Sequence, residues 1–321
     1  MYRTNPLLTH SFFLLILFLP ERMASQCCST GSPVGASVYV GVLNKYHLRA
    51  ITYYRYNYSD TYYQDDRKTT EDVPLQYSNY NFIGIALAYG ITRRLTVETD
   101  AGYFINKTQV FKTIDYTEKG YGLATGGITL KYGFFINPMK QIEITGGAGF
   151  RYPFSLKPQM VDGVQLSRDV QPSTNAFGAS GMLFLNKGFP SITMRIFSIN
   201  RYDYNFTDQN DYQYGSILLN SLFVAKTVLK NLLALLQLRS EYRTPDKDHG
   251  EKRINSGNYL LLMSPQLTYA IAGKWNVSVL VDIPVYKNYQ GKQLTPKYSV
   301  AVSLTRDFSL VKRPKNPVSD H

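Results

Sequence analysis

The chain has 321 residues and a formal charge of +12, although charged residues make up only 18% of the sequence. Aromatic residues reach 14%, with 27 tyrosines, and a chain with so many rings and so few charges is not expected to be disordered. Its two cysteines are too few for a disulfide scaffold. The basic residues are scattered and form no basic helix, so we expect no nucleic-acid partner.

Residues 1–25 have the order of a secretory signal peptide. A positive charge at Arg3 precedes the apolar stretch 7–20, and small residues at Ala24 and Ser25 then offer a cleavage site. The alternative, a membrane-anchor helix, is less favoured because the stretch is too short to span roughly 30 Å comfortably. The rest of the sequence has no apolar stretch near membrane-span length, which argues against a helical membrane protein.

The segment 26–46 follows the signal peptide and precedes the first long strand. Valines in alternate positions, such as Val38 and Val40, indicate an extended conformation. A membrane-spanning strand here would make the strand count odd, so we predict a periplasmic segment or a plug within the lumen. A lipid anchor at Cys27 or Cys28 is an alternative that fits less well, because no small residue precedes either cysteine.

Apolar and polar residues then alternate with period two through the rest of the chain. In the last such segment, Val300, Val302 and Leu304 share one face, and the intervening small and polar residues share the other. Twelve segments of this kind are predicted, at residues 47–58, 79–91, 94–106, 122–134, 140–152, 175–185, 191–202, 215–226, 232–243, 258–272, 275–286 and 297–308. Their lengths suit tilted membrane strands, which need about 9–11 residues.

The connections between these segments alternate in length. Short turns such as 92–93 alternate with long polar connections such as 153–174 and 287–296. Short periplasmic turns, long extracellular loops and tyrosines near the strand ends are typical of outer-membrane barrels. We therefore predict an all-β fold, a transmembrane antiparallel up-and-down β-barrel of about 12 strands over 47–309, followed by a basic periplasmic tail at 310–321. A soluble sandwich or lipocalin-like barrel has the same alternation and is the alternative.

In such a barrel the polar face of each strand lines the lumen, and its charged residues form the candidate site. The candidates are Arg49, Arg55, Glu98, Asp100, Lys131, Glu143, Arg151, Arg195, Arg239, Glu241, Arg243 and Asp282. Parity also assigns Arg94, Arg201 and Asp307 to the lumen, which then holds nine positive and six negative groups. Two interpretations stay open: a charged pathway that favours anionic or polarised solutes, and an ion-pair network that fills a narrow barrel.

Motifs near the C-terminus carry a resemblance to a known family. The sequence reads Met263-Ser264-Pro265-Gln266-Leu267-Thr268-Tyr269, then Asp282-Ile283-Pro284-Val285-Tyr286, then Gly291-Lys292-Gln293-Leu294. Over about residues 256–308 it resembles the outer-membrane barrel family named for the MetA pathway of phenol degradation. The resemblance implies a barrel of the twelve-stranded type, allied to channels thought to pass hydrophobic or aromatic compounds. It implies no catalytic residue.

The leading functional prediction is a channel or transporter for small molecules in the cell outer membrane, without enzymatic chemistry. A structural or adhesive barrel that binds partners through its loops is the alternative. A barrel hydrolase is less favoured, because neither His47 nor His249 lies near a serine in a recognisable motif, and loop acids such as Asp246 and Asp248 are usually solvated. We expect no cofactor and no metal. The expected partners are outer-membrane lipid and lipopolysaccharide, the barrel-assembly machinery and an unidentified small solute.

Overall fold

The computed structural model describes residues 41–71, 73–271 and 275–310. The predicted signal peptide, Cys27 and Cys28 lie outside the described residues, as do most of the predicted N-terminal segment and of the basic tail. Within the described part, no helix is long and apolar enough to cross a membrane.

The regular secondary structure of the described residues is almost entirely β-strand. The strands are β1 (His47–Asp65), β2 (Arg67–Thr69), β3 (Leu75–Gly90), β4 (Leu95–Phe111), β5 (Thr117–Leu123), β6 (Gly126–Asn137), β7 (Ile142–Tyr152), β8 (Met160–Val161), β9 (Val164–Gln165), β10 (Gly178–Phe189), β11 (Met194–Asn205), β12 (Tyr212–Gln213), β13 (Ile217–Leu229), β14 (Leu232–Arg243), β15 (Lys247–Asp248), β16 (Glu251–Lys252), β17 (Asn258–Ile271) and β18 (Trp275–Ser309). One turn of 3-10 helix, Pro190–Ile192, joins β10 to β11.

Eleven of these strands pair antiparallel in the order β18-β17-β14-β13-β11-β10-β7-β6-β4-β3-β1, and β18 pairs with β1 to close the sheet. Strand β2 lies outside this ring beside β1, and β5 lies outside it beside β4. The predicted all-β barrel is thereby confirmed. Closure leaves no free sheet edge in the wall, which is the condition for a sheet in lipid.

Strand β18 explains how eleven strands supply a wall of about twelve. Its first half, 275–289, pairs with β17, and its second half, 292–309, pairs with β1. Both ends of the strand lie together, because the Arg306 guanidinium is 4.5 Å from the centre of the Trp275 ring. The 35-residue strand is therefore two antiparallel legs joined by a tight turn.

That turn replaces the long polar loop predicted at 287–296, which is a correction to the sequence-based picture. Gly291 has φ of +74°, a conformation that favours glycine, and a Cβ there would meet Asn255. On the second leg Leu294 pairs with Tyr62 of β1 and is buried against Tyr62 and Leu75. Strand pairing continues here because the extended β1 supplies hydrogen-bond partners and an apolar cover.

The wall has an apolar outer face. Large hydrophobic side chains that point outward are well exposed, for example Ile83, Leu130, Leu236, Leu267 and Val279. Their neighbours along each strand point inward and are buried or half-buried. An exposed apolar band of this kind is expected where a barrel meets lipid. The inward side chains form the lumen, which has a short-turn end and a long-loop end.

Candidate functional site

The half of the lumen nearer the long loops encloses a cavity, which we call the chamber. Its empty volume is about 1570 Å³, open solvent included. Eight of the predicted lumen residues line it, namely Arg55, Asp100, Arg151, Arg201, Arg239, Glu241, Arg243 and Asp282. They come from strands spread around the barrel. Each occupies an inward-facing position of its own strand, and closure of the barrel brings them together in one cavity.

Asp282 is the centre of the charged network in the chamber. Its Oδ2 accepts a hydrogen bond from Arg239 Nη2 at 3.1 Å, and Arg55 Nη2 lies 3.6 Å from the same oxygen. The hydroxyls of Ser264 and Ser299 also donate to this carboxylate, at 2.5 Å and 2.9 Å. One buried aspartate thus connects β1, β14, β17 and both legs of β18.

Cationic side chains outnumber anionic ones around the chamber. The cations are Arg55, Lys107, Arg151, Arg168, Arg201, Arg239 and Arg243, and the anions are Asp100, Asp203, Glu241 and Asp282. Of these, Arg201 is held by Asp203 at 2.8 Å. Asp208 and Asp246, just outside the lining, pair with Arg168 and Arg243 at 3.0 Å and 3.6 Å. The surplus around the chamber is therefore about one positive charge, and a walled cavity makes such a surplus felt more strongly than open water does.

The chamber also has aromatic and aliphatic walls that the sequence did not single out. Tyr53, Phe82 and Phe104 form a buried cluster, with ring centres 5.7 Å and 4.8 Å apart along the series. Across strands β13 and β17, the aliphatic lining includes Leu219 and Leu260. The sequence did carry a signal for Phe82 and Phe104. Each is an apolar residue at a lumen-facing position of β3 or β4, in a stretch where the outward-facing residues are apolar too.

The connection 153–177, called the inward loop here, lies over the chamber. Residues Arg168, Gln171 and Ser173 of this loop line the cavity. Eight of its residues are buried, namely Leu166, Asp169, Val170, Gln171, Ser173, Thr174, Asn175 and Ala176. The sequence predicted a long loop at this position but not its direction. The apolar residues within a polar stretch were the signal that it folds inward.

Polar contacts hold the inward loop against the wall. Ser167 donates its backbone N–H and its hydroxyl to Glu118, at 2.5 Å and 2.6 Å. Arg168 Nη1 donates to Asp208 at 3.0 Å, and its guanidinium lies 3.6 Å from the centre of the Tyr212 ring. Lys107 Nζ donates to the carbonyl of Gln171 at 2.9 Å. The loop is therefore tied to β5, to β4 and to the connection beyond β11.

Close packing of the inward loop has an electrostatic consequence at Asp169. Burial raises the pKa of the Asp169 carboxyl to about 7, with Asp246 acting in the same direction and Lys107 and Gln109 acting against it. The loop can approach this closely because β5 presents Gly120, where a Cβ would meet the carbonyl oxygen of Val170. A carboxyl with this pKa changes its charge near neutral pH.

Below the chamber the lumen narrows to a packed section, the waist. Phe184, Phe197 and Phe223 fill one side, with Phe197 and Phe223 stacked at 4.4 Å between ring centres. On another side Lys131 Nζ is 2.6 Å from Glu98 Oε2, and the Lys131 side chain is almost fully buried. These two predicted lumen residues thus form an ion pair in which Lys131 is buried and Glu98 is partly exposed.

The remaining predicted residues lie at the short-turn end. Arg49, Glu143 and Arg195 line a separate cavity there, together with residues 41–44. Arg49 forms a two-pronged contact with Asp307, at 2.6 Å and 2.7 Å. Arg94, assigned to the lumen by parity, is instead exposed in the turn before β4. Parity fails at that position because the strand begins only at Leu95.

Residues 41–44 enter this short-turn cavity from the N-terminal side. The backbone N–H of Val42 donates to Glu143 Oε1, and that of Leu43 donates to Thr96 Oγ1, each at 2.8 Å. Thr96 is fully buried and belongs to the inward face of β4. The described end of the predicted N-terminal segment therefore contacts lumen-facing side chains.

The loop acids considered for hydrolysis have structural contacts. Asp246 is fully buried, accepts a hydrogen bond from the Tyr212 hydroxyl and lies 3.6 Å from Arg243. Burial and this neighbouring carboxylate raise the pKa of the Tyr212 hydroxyl. Asp248 contacts His249 at 3.0 Å. Among the described residues, no group of three His, Cys, Asp or Glu side chains is arranged to hold a metal ion.

Comparison with known proteins supports the fold. No protein-family model matches the sequence, and no curated protein matches it. An outer membrane channel from Pseudomonas putida F1 has a TM-score of 0.67 at 11% identity, over 85% of this chain and 99% of that one. The P. putida toluene transporter TodX reaches 0.45 at 9% identity, over 84% of this chain and 92% of its own. The KdgM porin reaches 0.42 at 11% identity, over 81% and 99%. The chain thus shares the antiparallel barrel fold of an outer membrane channel.

Proposed function

We propose that this chain is an outer-membrane channel that passes small solutes through its lumen without chemical conversion. The observation that carries the proposal is the chamber, a cavity with an empty volume of about 1570 Å³, open solvent included, toward which charged side chains from strands around the barrel converge. Ligand sites are concave, mostly apolar and equipped with a few convergent polar groups, and the chamber has each of these features. The apolar outer band and the shared fold support placement in an outer membrane.

In this proposal the long loops face the exterior and the short turns face the periplasm. A solute enters beside the inward loop, occupies the chamber and leaves past the waist toward residues 41–44. The resemblance to the family named for the MetA pathway agrees with such a role, and the aromatic cluster of Tyr53, Phe82 and Phe104 suits an apolar or aromatic solute.

The waist is the step that the proposed pathway must open. Phe184 and Phe223 are almost fully buried, as are Lys131 and Gln237 on the same inward face. We infer that the described conformation is a closed one and that side chains of the waist form the gate. The same packing favours the second candidate function, a structural barrel without a pathway.

Single-channel recording from purified protein in planar bilayers tests the proposal. We expect small, intermittent current steps from the native chain, and larger and longer ones from Phe223→Ala, because the variant removes a ring from the waist. Phe150→Ala is the matched control, since Phe150 lies on the outer face and is 48% exposed. A seal at all voltages from the native chain and from folded Phe223→Ala would support the structural barrel instead.

A further inference from the structure

We propose that the chamber binds small monocarboxylates that carry an apolar or aromatic body. The inference deepens the proposed channel function, because it assigns a class of solute to the same cavity. It depends on that function for the route by which the solute arrives. Binding itself depends only on the chamber.

Two buried arginines supply the groups that recognise a carboxylate. Arg55 and Arg239 are 5% and 6% exposed and both line the chamber. Each contacts Asp282 through a terminal nitrogen, whereas no described residue accepts a hydrogen bond from either Nε. A buried N–H donor without an acceptor is costly, so an oxygen ligand that reaches these groups is favoured. Guanidinium groups match the two oxygens of a carboxylate well.

The charge around the cavity selects the sign of the ligand. Seven cationic side chains face four anionic ones in the lining, and Asp208 and Asp246 pair with two of the cations, so about one positive charge is left over and favours an anion over an organic cation. The four interleaved carboxylates also limit how much negative charge the chamber accepts. An ion with two or more charges, such as phosphate, meets the Asp282 carboxylate where it approaches Arg55 and Arg239. A single carboxylate therefore fits better than a polyanion.

The remaining lining selects the body of the ligand. Tyr53, Phe82 and Phe104 present rings on one side, and Leu260 and Leu262 present aliphatic groups on another. Transfer of apolar ligand surface from water to such walls is favourable, and ring faces and edges add specific contacts. The uncharged part of the ligand is thus expected to contribute affinity beyond that of the carboxylate alone.

Isothermal titration of the purified barrel in detergent micelles tests the inference with a matched set of probes. The set is benzoate, benzyl alcohol, benzylamine, acetate and inorganic phosphate. We expect benzoate to bind at least tenfold more tightly than each of the others. Equal binding of benzoate and benzyl alcohol would overturn the carboxylate assignment. Equal binding of benzoate and acetate would overturn the assignment of an apolar body.

Variants locate the site within the barrel. Arg239→Gln is expected to weaken benzoate binding at least tenfold, and Arg239→Lys less, because lysine keeps the charge but loses the fork. Arg49→Gln is the matched control, since Arg49 pairs with Asp307 outside the chamber and its loss should leave binding unchanged. Heat-modifiable migration on a detergent gel checks that each variant is folded. A folded Arg239→Gln with native benzoate affinity would overturn the site, and if the variant does not fold, the probe set on the native chain decides.

Current and binding separate this inference from the proposed function. Current through the barrel without preferential benzoate binding would overturn the solute class and leave the channel in place. Benzoate binding to a barrel that passes no current, even as Phe223→Ala, would support the site and overturn the channel.

Discussion

The chamber and the waist are consecutive sections of one lumen, built by the same strands. They differ in how their charged side chains are paired. In the chamber, seven cations and four anions surround open space, and Arg55 and Arg239 share the single carboxylate of Asp282. In the waist, Lys131 is held by its own partner Glu98, and phenylalanine rings fill much of the section. Alternation along a strand decides which residues point inward, but their size and charge balance decide whether a section stays open.

The largest expected effect is at Asp282, the carboxylate that Arg55 and Arg239 share. Asp282→Asn leaves two buried guanidinium groups without their carboxylate, and breaking a buried pair in this way costs about 4 kcal/mol. We expect the free energy of unfolding in detergent, measured with guanidinium chloride, to fall by that amount. The control is Asp307→Asn, where the carboxylate is 47% exposed and the loss should be smaller, because solvent already screens the contact with Arg49. Equal losses in the two variants would show that the chamber does not depend on Asp282.

The waist should respond to loss of its own pair by a smaller amount. Glu98→Gln removes the carboxylate that the buried Lys131 Nζ contacts at 2.6 Å, and because Glu98 is 30% exposed we expect about 3 kcal/mol of destabilisation. A double variant, Glu98→Gln with Lys131→Met, should recover most of this loss, since no charge then remains in an apolar section. Failure of the double variant to recover would indicate that the pair stabilises the waist by more than mutual neutralisation.

In the inward loop, which lies over the chamber, the expected effect is smaller again and confined to the loop. Arg168→Gln removes the charged hydrogen bond to Asp208 and the contact with the Tyr212 ring, which together contribute about 2 kcal/mol. We expect faster amide hydrogen exchange across the inward loop with little change in the wall. Lys157→Gln, at an exposed position of the same loop, is the control. Uniformly faster exchange in the inward loop and the wall would indicate general unfolding rather than a loosened inward loop.

The comparison also shows how much the sequence could predict. Period-two alternation and the turn lengths predicted the closed barrel, because lipid and lumen select opposite residue types at successive positions. Parity likewise placed Arg239, Glu241 and Asp282 on one inward face. Alternation carries no information on contacts between strands far apart in the chain, so the sharing of Asp282 by two arginines could not be predicted. The inward fold of 153–177 also depends on such distant contacts.

The smallest expected effect is a pH dependence of the packing of the inward loop, which the wall strands should not share. Burial raises the pKa of Asp169 to about 7 in the packed loop, while its ordinary value of 3.8 applies when the loop opens. The packed form therefore loses stability relative to the open form as pH rises from about 4 to about 7, and this carboxyl adds no further change above that. The charged groups around it are Lys107, Asp246 and Arg243. Hydrogen exchange of the inward loop, corrected for the intrinsic pH dependence of exchange, should be slower at pH 5.5 than at pH 8.

Asp169→Asn should abolish this difference, because the amide does not titrate. The wall strands supply an internal reference within the same protein, since their exchange should not respond to Asp169. If the difference in exchange between the two pH values persists in Asp169→Asn, another group controls the opening of the inward loop. If the wall and the inward loop respond to pH together, the barrel opens as one unit and the inward loop does not open independently.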